Sequence, residues 1–473
     1  MPSGALTHSS GVCRTRWWRS LAVGSEVRVP VLGGGERRYV NLDNAASTPP
    51  FRRVLRKVNR FTRWYSNVHR GTGFKSGLSS WAYEGAREAV RGFVNAAESD
   101  VVLFPRSTTH AINHLAGRLP LDQRRVVLVS SMEHHSNDLP WRKVSEVHHV
   151  RVDDGGNIDE SHLQELLRLH RDRVALLAMS GGSNVTGVVT PIHCYARWAH
   201  EAGARILVDA AQLAPHRPID MRPADDPEHI DFLAFSAHKM YAPFGAGVLI
   251  GPASIFEDGT PHEVGGGTVE IVSTDRVMWT ALPEREEAGT PCVVGAVALS
   301  AAIEAYRRLG WARLLQHESA LVHRALVRLS RVPGLVIYGD SDPDHSDDRL
   351  GVISFNLGNM PHAMLSAVLS HEWGIGTRSG CFCAHLYVKH LLGIGEAGAR
   401  DMERRIEAGD RASIPGCVRV SVGVYNTLED IGLLGDALDA IAAGRIAGDY
   451  RLDPRTGEYH TDLSYDYRDY FNA

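Results

Sequence analysis

The stretch RILVDAAQLAPH (205–216), followed by DFLAFSAHKM (231–240), decides the architecture. Each opens on a short apolar run and breaks abruptly into polar residues, which is how a strand buried on both faces ends in sequence. Working outward, VVLF (101–104), VVLVS (126–130), VALLAMS (174–180) and GVLIG (247–251) repeat the pattern with amphipathic stretches between them. Strands alternating with helices predict an α/β domain around a mainly parallel sheet. Such sheets collect ligands beyond the carboxyl ends of their strands, so Asp209 and Lys239, each just past an apolar run, are expected to face one crevice.

A smaller α/β unit is expected after residue 298, from the helical stretch SAAIEAYRRLG (300–310) and the strand-like runs LVIYG (335–339), GVISFNL (351–357) and VRVSVGV (418–424). The expected organisation is an N-terminal extension (1–30), a segment packing with the small domain (31–60), a large domain (61–298), a small domain (299–445) and a tail (446–473). Charges and glycines between 394 and 415 read as an insertion or mobile loop, and the Asp- and Tyr-rich tail as an arm lying over a surface. No internal repeat is present.

The 473 residues carry 51 Lys and Arg against 55 Asp and Glu, a formal charge of −4 that gives no broad reason to bind nucleic acid or an anionic membrane. No apolar run reaches the roughly 18–20 residues that a membrane-crossing helix needs. Six cysteines are too sparse for a disulfide scaffold, so a reducing, cytoplasmic compartment is expected, with thiol chemistry at Cys381 and Cys383 and structural roles for Cys13, Cys194, Cys292 and Cys417. Arg14, Arg16 and Arg19, without an acidic residue near them, leave an organellar address open.

A lysine beside a buried carboxylate is what pyridoxal phosphate (PLP) chemistry requires: the amine forms an imine, and the carboxylate keeps the pyridine nitrogen protonated. Ser107, Thr108 and Thr109, where a strand gives way to a helix, offer hydroxyls, N–H groups and a positive dipole end to a phosphate, or else a plain N-cap. His134 and His135 stand at another strand end, where an imidazole can stack on a flat ring or serve structure alone.

The motifs NLDNAAS (41–47), NVHRG (67–71), STTHAIN (107–113), MEHHSNDLPW (132–141), SNVTG (183–187), VDAAQ (208–212), SAHK (236–239), EAGTP (287–291), RSGCFCA (378–384) and VRVSVGVYNT (418–427) together resemble the class V aminotransferase superfamily of fold type I PLP enzymes, most closely its cysteine desulfurase and selenocysteine lyase group. The resemblance spans about residues 38 to 445. It implies a fold type I transferase, with a mainly parallel seven-stranded sheet in the large domain and a smaller α/β C-terminal domain. It makes Lys239 the Schiff-base lysine, Asp209 the partner of the pyridine nitrogen, Gln212 a donor to the ring hydroxyl, and His134 the stacked ring. Thr108, Thr109, Ser236 and His238 would hold the phosphate, and Asn184 would lie near the ring hydroxyl and substrate. Gly289 and Thr290 would reach the phosphate of a neighbouring subunit in a homodimer. Arg419 would pair with the substrate carboxylate, Cys383 would be the nucleophile, and Arg378, which opens its loop, would join Arg419 and Asn184 in binding substrate.

This pattern implies conversion of L-cysteine to L-alanine, with a persulfide on Cys383 and a sulfur-acceptor protein downstream. RSGCFCA departs from relatives that carry two histidines before the cysteine, and it also resembles the loop of molybdenum cofactor sulfurases. Transamination, epimerisation or C–S lysis on another amino acid therefore stays open, as does a non-catalytic PLP-fold protein. A zinc reading of Cys381, Cys383 and His385 does not match usual ligand spacing, so no metal site is expected.

Overall fold

The computed structural model describes residues 16–69, 71–121, 123–412 and 414–471. Cys13 and Arg14, with the first half of the expected N-terminal extension, lie outside them. Two compact units emerge: residues 45–317 with 21–23, and a second unit that includes residues 24–44 and those from 318 onward.

In the first unit the strands are β1 (Asp100–Leu103), β2 (Val126–Ser130), β3 (Glu146–Val150), β4 (Val174–Ser180), β5 (Arg205–Asp209), β6 (Phe232–Ser236) and β7 (Gly247–Pro252). They form one seven-stranded sheet in the order β1-β7-β6-β5-β4-β2-β3. β7 runs antiparallel to both its neighbours, and the pairs β6–β5, β5–β4, β4–β2 and β2–β3 are parallel. Alternate residues Val127, Val129, Leu176, Ala178, Leu207, Phe232 and Ala234 pack against Ile112 and Leu115 of the helix Thr108–Arg118 and against Trp141. Their strand neighbours are buried too, which is why these strands read as unbroken apolar runs. Full burial of each such Val, Leu, Ile or Phe stabilises by roughly 1.5–3 kcal/mol. The edge strand β3, EVHHV, was not visible as an apolar run, because it is partly exposed and carries two histidines.

The domain boundaries expected at 60/61 and 298/299 fall instead at 44/45 and 317/318. The cause is the helix Val293–Leu309, whose buried Ala296, Ala298, Ala301, Ala302 and Ala305 let it lie close against Arg52–Thr62 and Phe74–Val94. Residues on both sides of the expected cuts are thereby tied into the first unit.

The second unit holds β8 (Leu335–Tyr338), β9 (Val352–Leu357), β10 (Arg378–Gly380) and β11 (Cys417–Ser421), antiparallel in the order β8-β9-β11-β10. Val418 and Val420 join a core with Ile353, Phe355, Leu365, Leu369, Leu434 and Leu438. The period of two along β11 turns Arg419 to the opposite face. Val40–Asn41 adds a short parallel pairing to Ile375–Gly376.

One expectation for this unit changes. The segment 394–415, expected as a loop, contains the helix Glu396–Glu407 with no buried residue. Its charges are spaced for the helix surface, with Glu396–Arg400 at 3.4 Å and Asp401–Arg405 at 3.0 Å, so the composition that suggested a loop is an i,i+4 ladder. The tail forms a hairpin, Arg451–Asp453 with Glu458–His460. It is tied to the helix His362–Trp373 where Glu372 accepts from Ala447 N, Gly448 N and the Tyr450 hydroxyl.

Candidate active site

In the first unit, Asp209 closes β5 and Ser236 closes the neighbouring β6, whose chain turns at once through Ala237–Lys239. Parallel pairing of Asp209 with Ala234 fixes the two strand ends side by side. Lys239 lies within electrostatic range of Asp209. The turn is held from below: His238 O accepts from Thr48 N at 3.0 Å and from the Thr48 hydroxyl at 3.0 Å, and the Ser47 hydroxyl lies 3.2 Å from His238 Nδ1. Burial, then the Lys239 charge, pushes His238 down to about 4, so its ring is neutral at ordinary pH.

The residues of the phosphate-binding expectation fall into two hydrogen-bonded groups. Ser236 Oγ accepts from Thr108 N at 2.7 Å and lies 2.7 Å from Thr108 Oγ1. Thr109 Oγ1 is 2.6 Å from Ser136 Oγ, which is 3.0 Å from His134 Nδ1. Ser107 caps the helix through His110 N. Gly247 makes the close approach possible, since a Cβ there would stand 2.6 Å from the Ser107 backbone carbon. Asn184 is buried in the turn after β4, where Ser183 Oγ accepts from Val185 N and Thr186 N.

Ser136 and Glu133 were not singled out in the sequence. Glu133 is fully buried and accepts from Ser130 Oγ, Asn137 Nδ2, Ser180 N and Ser180 Oγ at 2.5–2.9 Å. Desolvation outweighs these bonds and raises it to about 7. It anchors the segment that presents His134. The adjacent HHSN sequence was the available signal, but only the fold shows that Glu133 points inward.

The donor set fits PLP. Asp209 is buried, its hydrogen bond among the described residues comes from Ala211 N at 2.9 Å, and burial raises its pKa. Such a carboxylate is best satisfied by a protonated ring nitrogen. Gln212 donates through Nε2 to Ala45 O at 2.8 Å, while its buried Oε1 has no hydrogen-bond partner among the described residues. The atom left over there is thus an acceptor, beside the donor role expected for Gln212.

Gly289 and Thr290 are exposed, and no hydrogen bond joins them to Thr108, Thr109, Ser236 or Lys239 among the described residues. The residues before them are firmly held: Glu287 accepts from Tyr83 and Arg87, and Glu286 is 2.7 Å from His114 and 3.0 Å from Arg118.

The second unit carries Arg378, Cys383 and Arg419. Arg378 and Arg419 are cross-strand partners, and Asp43 bridges them, with Oδ1 2.8 Å from Arg419 Nη2 and Oδ2 3.2 Å from Arg378 Nε. The Arg419 side chain is only 3% exposed, and its guanidinium lies 4.9 Å from the centre of the Phe382 ring. Phe382 and Cys383 both adopt left-handed backbone, φ 53° and 56°, and the Cys383 thiol is exposed. Cys381 points the other way, buried with Sγ 3.4 Å from Pro415 O, and burial pushes it up to about 11. Cys417 is buried and pushed up to about 12.

Comparison with known proteins identifies the family. The family model for Aminotransferase class-V matches residues 40–434. A probable cysteine desulfurase of Halalkalibacterium halodurans is 33% identical over 409 residues, covering 85% of this chain and 92% of the relative. A cysteine desulfurase of Pectobacterium atrosepticum is 34% identical over 410 residues, with the same shares. Among solved structures, the apo cysteine desulfurase of Thermococcus onnurineus superposes with a TM-score of 0.74 at 30% identity, covering 86% of this chain and 95% of that one. A cysteine desulfurase of Escherichia coli in an S-sulfonic acid form gives 0.74 at 28%, covering 92% and 99%. The chain belongs to the class V aminotransferase family, a group of PLP-dependent enzymes of fold type I.

Proposed function

We propose that this enzyme is a cysteine desulfurase that converts L-cysteine to L-alanine and holds the sulfur as a persulfide on Cys383. The observation that carries the proposal is the exposed Cys383 thiol, displayed on two consecutive left-handed residues next to the Arg419–Asp43–Arg378 array. Left-handed backbone in non-glycine residues costs of order 1–3 kcal/mol each, and such strain concentrates where a side chain must be presented. The desulfurase relatives support the same reading.

Bound PLP supplies an electron sink for the charge left at the substrate Cα. Asp209 keeps the ring nitrogen protonated, and His134, steadied by Ser136, covers the ring. Thr108, Thr109, Ser236 and His238 hold the phosphate, with Asn184 and Gln212 at the ring hydroxyl. Lys239 anchors the cofactor and carries the proton between Cα and Cβ. Arg419 receives the substrate carboxylate in its planar fork, with Arg378 beside it. The Cys383 thiolate attacks the substrate sulfur: the Cys383 S–S bond forms, the substrate Cβ–S bond breaks, and the electron pair left on carbon takes a proton to give alanine. The persulfide then passes to an acceptor protein.

A homodimer, with Gly289 and Thr290 reaching the partner's phosphate, completes the proposal; their exposure on a well-anchored segment supports it. The deciding experiment incubates the holoenzyme with L-cysteine and maps persulfide by mass spectrometry. Alanine release with persulfide on Cys383, both lost in Cys383→Ala while the visible cofactor band persists, is expected. Keto acid or sulfide formed with no persulfide on any cysteine would replace this reaction with another of the family.

A further inference from the structure

At the amino end of the large sheet, away from the strand ends that carry Asp209 and Ser236, three side chains converge. His200 Nε2 is 2.9 Å from Asp231 Oδ2, and His229 Nε2 is 3.4 Å from Asp231 Oδ1. One ligand atom from each residue lies within 4.8 Å of the other two. Asp231 immediately precedes β6, so five extended steps, roughly 16 Å, carry the chain from it to Ser236. We propose that His200, His229 and Asp231 form a zinc-class metal site, independent of the reaction centre, that staples the helix Ile192–Glu201 and the 223–229 turn to the sheet.

The argument rests on what lies behind each ligand. His200 Nδ1 is 2.8 Å from Pro227 O, and His229 Nδ1 is 2.7 Å from Asp226 O. A carbonyl can only accept, so both rings carry their proton on Nδ1. Nε2 is then the atom of each ring that faces Asp231. Backbone carbonyls behind imidazoles are the usual outer support of a metal-binding histidine. The carboxylate is supported as well, since Ile206 N donates to Asp231 Oδ2 at 2.8 Å.

Two imidazole lone pairs turned toward one carboxylate repel it unless a cation lies between them, either protons on the rings or a metal ion. Two nitrogens and a carboxylate oxygen form a set that suits Zn²⁺ with a water in the fourth position, and it is too nitrogen-rich for Mg²⁺ or Ca²⁺. Bonds of about 2.0–2.1 Å in a tetrahedron place ligand atoms about 3.3 Å apart, and the imidazole–carboxylate spacings here are 2.9 and 3.4 Å, one to each oxygen of Asp231, so a small adjustment brings both nitrogens around an ion on one oxygen. The rings are stacked, 4.2 Å between centres and 19° between planes, so binding requires them to tilt apart about the Nδ1 bonds that hold them. His200 and His229 are partly exposed, which gives the ion a way in.

The test uses PLP-loaded Cys383→Ala protein, so that the exposed thiol does not compete, stripped with a chelator and titrated with Zn²⁺ and separately with Co²⁺. One equivalent of Zn²⁺ per chain, a rise in Tm and visible Co²⁺ bands of a nitrogen–oxygen site are expected. His229→Ala, and independently His200→Gln, should weaken uptake by at least about 100-fold and leave the cofactor band unchanged. Zn²⁺ uptake equal in the parent and both folded variants overturns the site. So does a parent that binds no Zn²⁺ near neutral pH, because the cation between the rings and Asp231 is then only the proton.

Discussion

Asp43 shows how much one side chain organises. It neutralises the buried Arg419 and at the same time sets the exposed Arg378 beside it. Two guanidiniums against one carboxylate leave a net positive charge, which suits the substrate-carboxylate role proposed for Arg419. Arg419→Lys loses the planar fork, and kcat/KM for L-cysteine should fall about 10- to 100-fold, the equivalent of about 1.5–3 kcal/mol for a charge-assisted bond. Steady-state kinetics checks this, and a change under threefold would remove Arg419 from substrate binding.

Glu133 yields a stability prediction with a definite sign. Its folded pKa, about 7, lies above the ordinary 4.5. Between those values the folded state holds a proton that the unfolded chain has lost, so stability falls as pH rises from about 4.5 to 7, by about 3 kcal/mol at most. Glu133→Gln should flatten this dependence in denaturant titrations at pH 5 and pH 7. An unchanged slope would mean that another group carries it.

At the scale of elements, the contact between β7 and the turn after β1 sets in place the hydroxyls proposed to bind phosphate. Gly247→Ala would drive a methyl into the Ser107 backbone, and overpacking of this kind costs about 1–3 kcal/mol. The variant should lose PLP at least about fivefold faster on dialysis, read from the visible band. The helix Glu396–Glu407 predicts the opposite kind of behaviour. With no buried side chain and only surface ion pairs, it should be the first site of tryptic cleavage, at Arg400, Arg404 or Arg405, and faster at high salt. First cleavage elsewhere would show that its surface is covered.

The strands of the first unit other than β3 were legible because both faces are largely buried, so VVLVS and VALLAMS announce themselves without alternation. Lys239 and Asp209 were legible because a charge directly after such a run stands at a strand end. Ser136, Glu133, Ser47 and Asp43 were not, since short polar residues acquire meaning only from neighbours that the fold supplies. The same holds for the His200–His229–Asp231 group, which draws on a helix, a turn and a strand start and has no recognisable ligand spacing.

For the whole molecule, the exposed Gly289 and Thr290 bear on assembly. If they complete the partner's site, mixing Lys239→Ala with Thr290→Ala subunits creates hybrids with one doubly altered site and one intact site. Activity in confirmed hybrids should then exceed that of both parents, and equal or lower activity would reject completion by the partner.

The bonds beneath Lys239 carry a consequence for how this enzyme matures. Its turn is closed by Ser47 and Thr48, residues about 190 positions earlier in the chain. A nascent polypeptide therefore cannot shape its cofactor pocket by local folding alone, because the lysine's turn stays open until that distant segment returns to it. The yellow colour of captured vitamin should appear late in refolding, after the sheet has formed, and so act as a clock for completion of the fold.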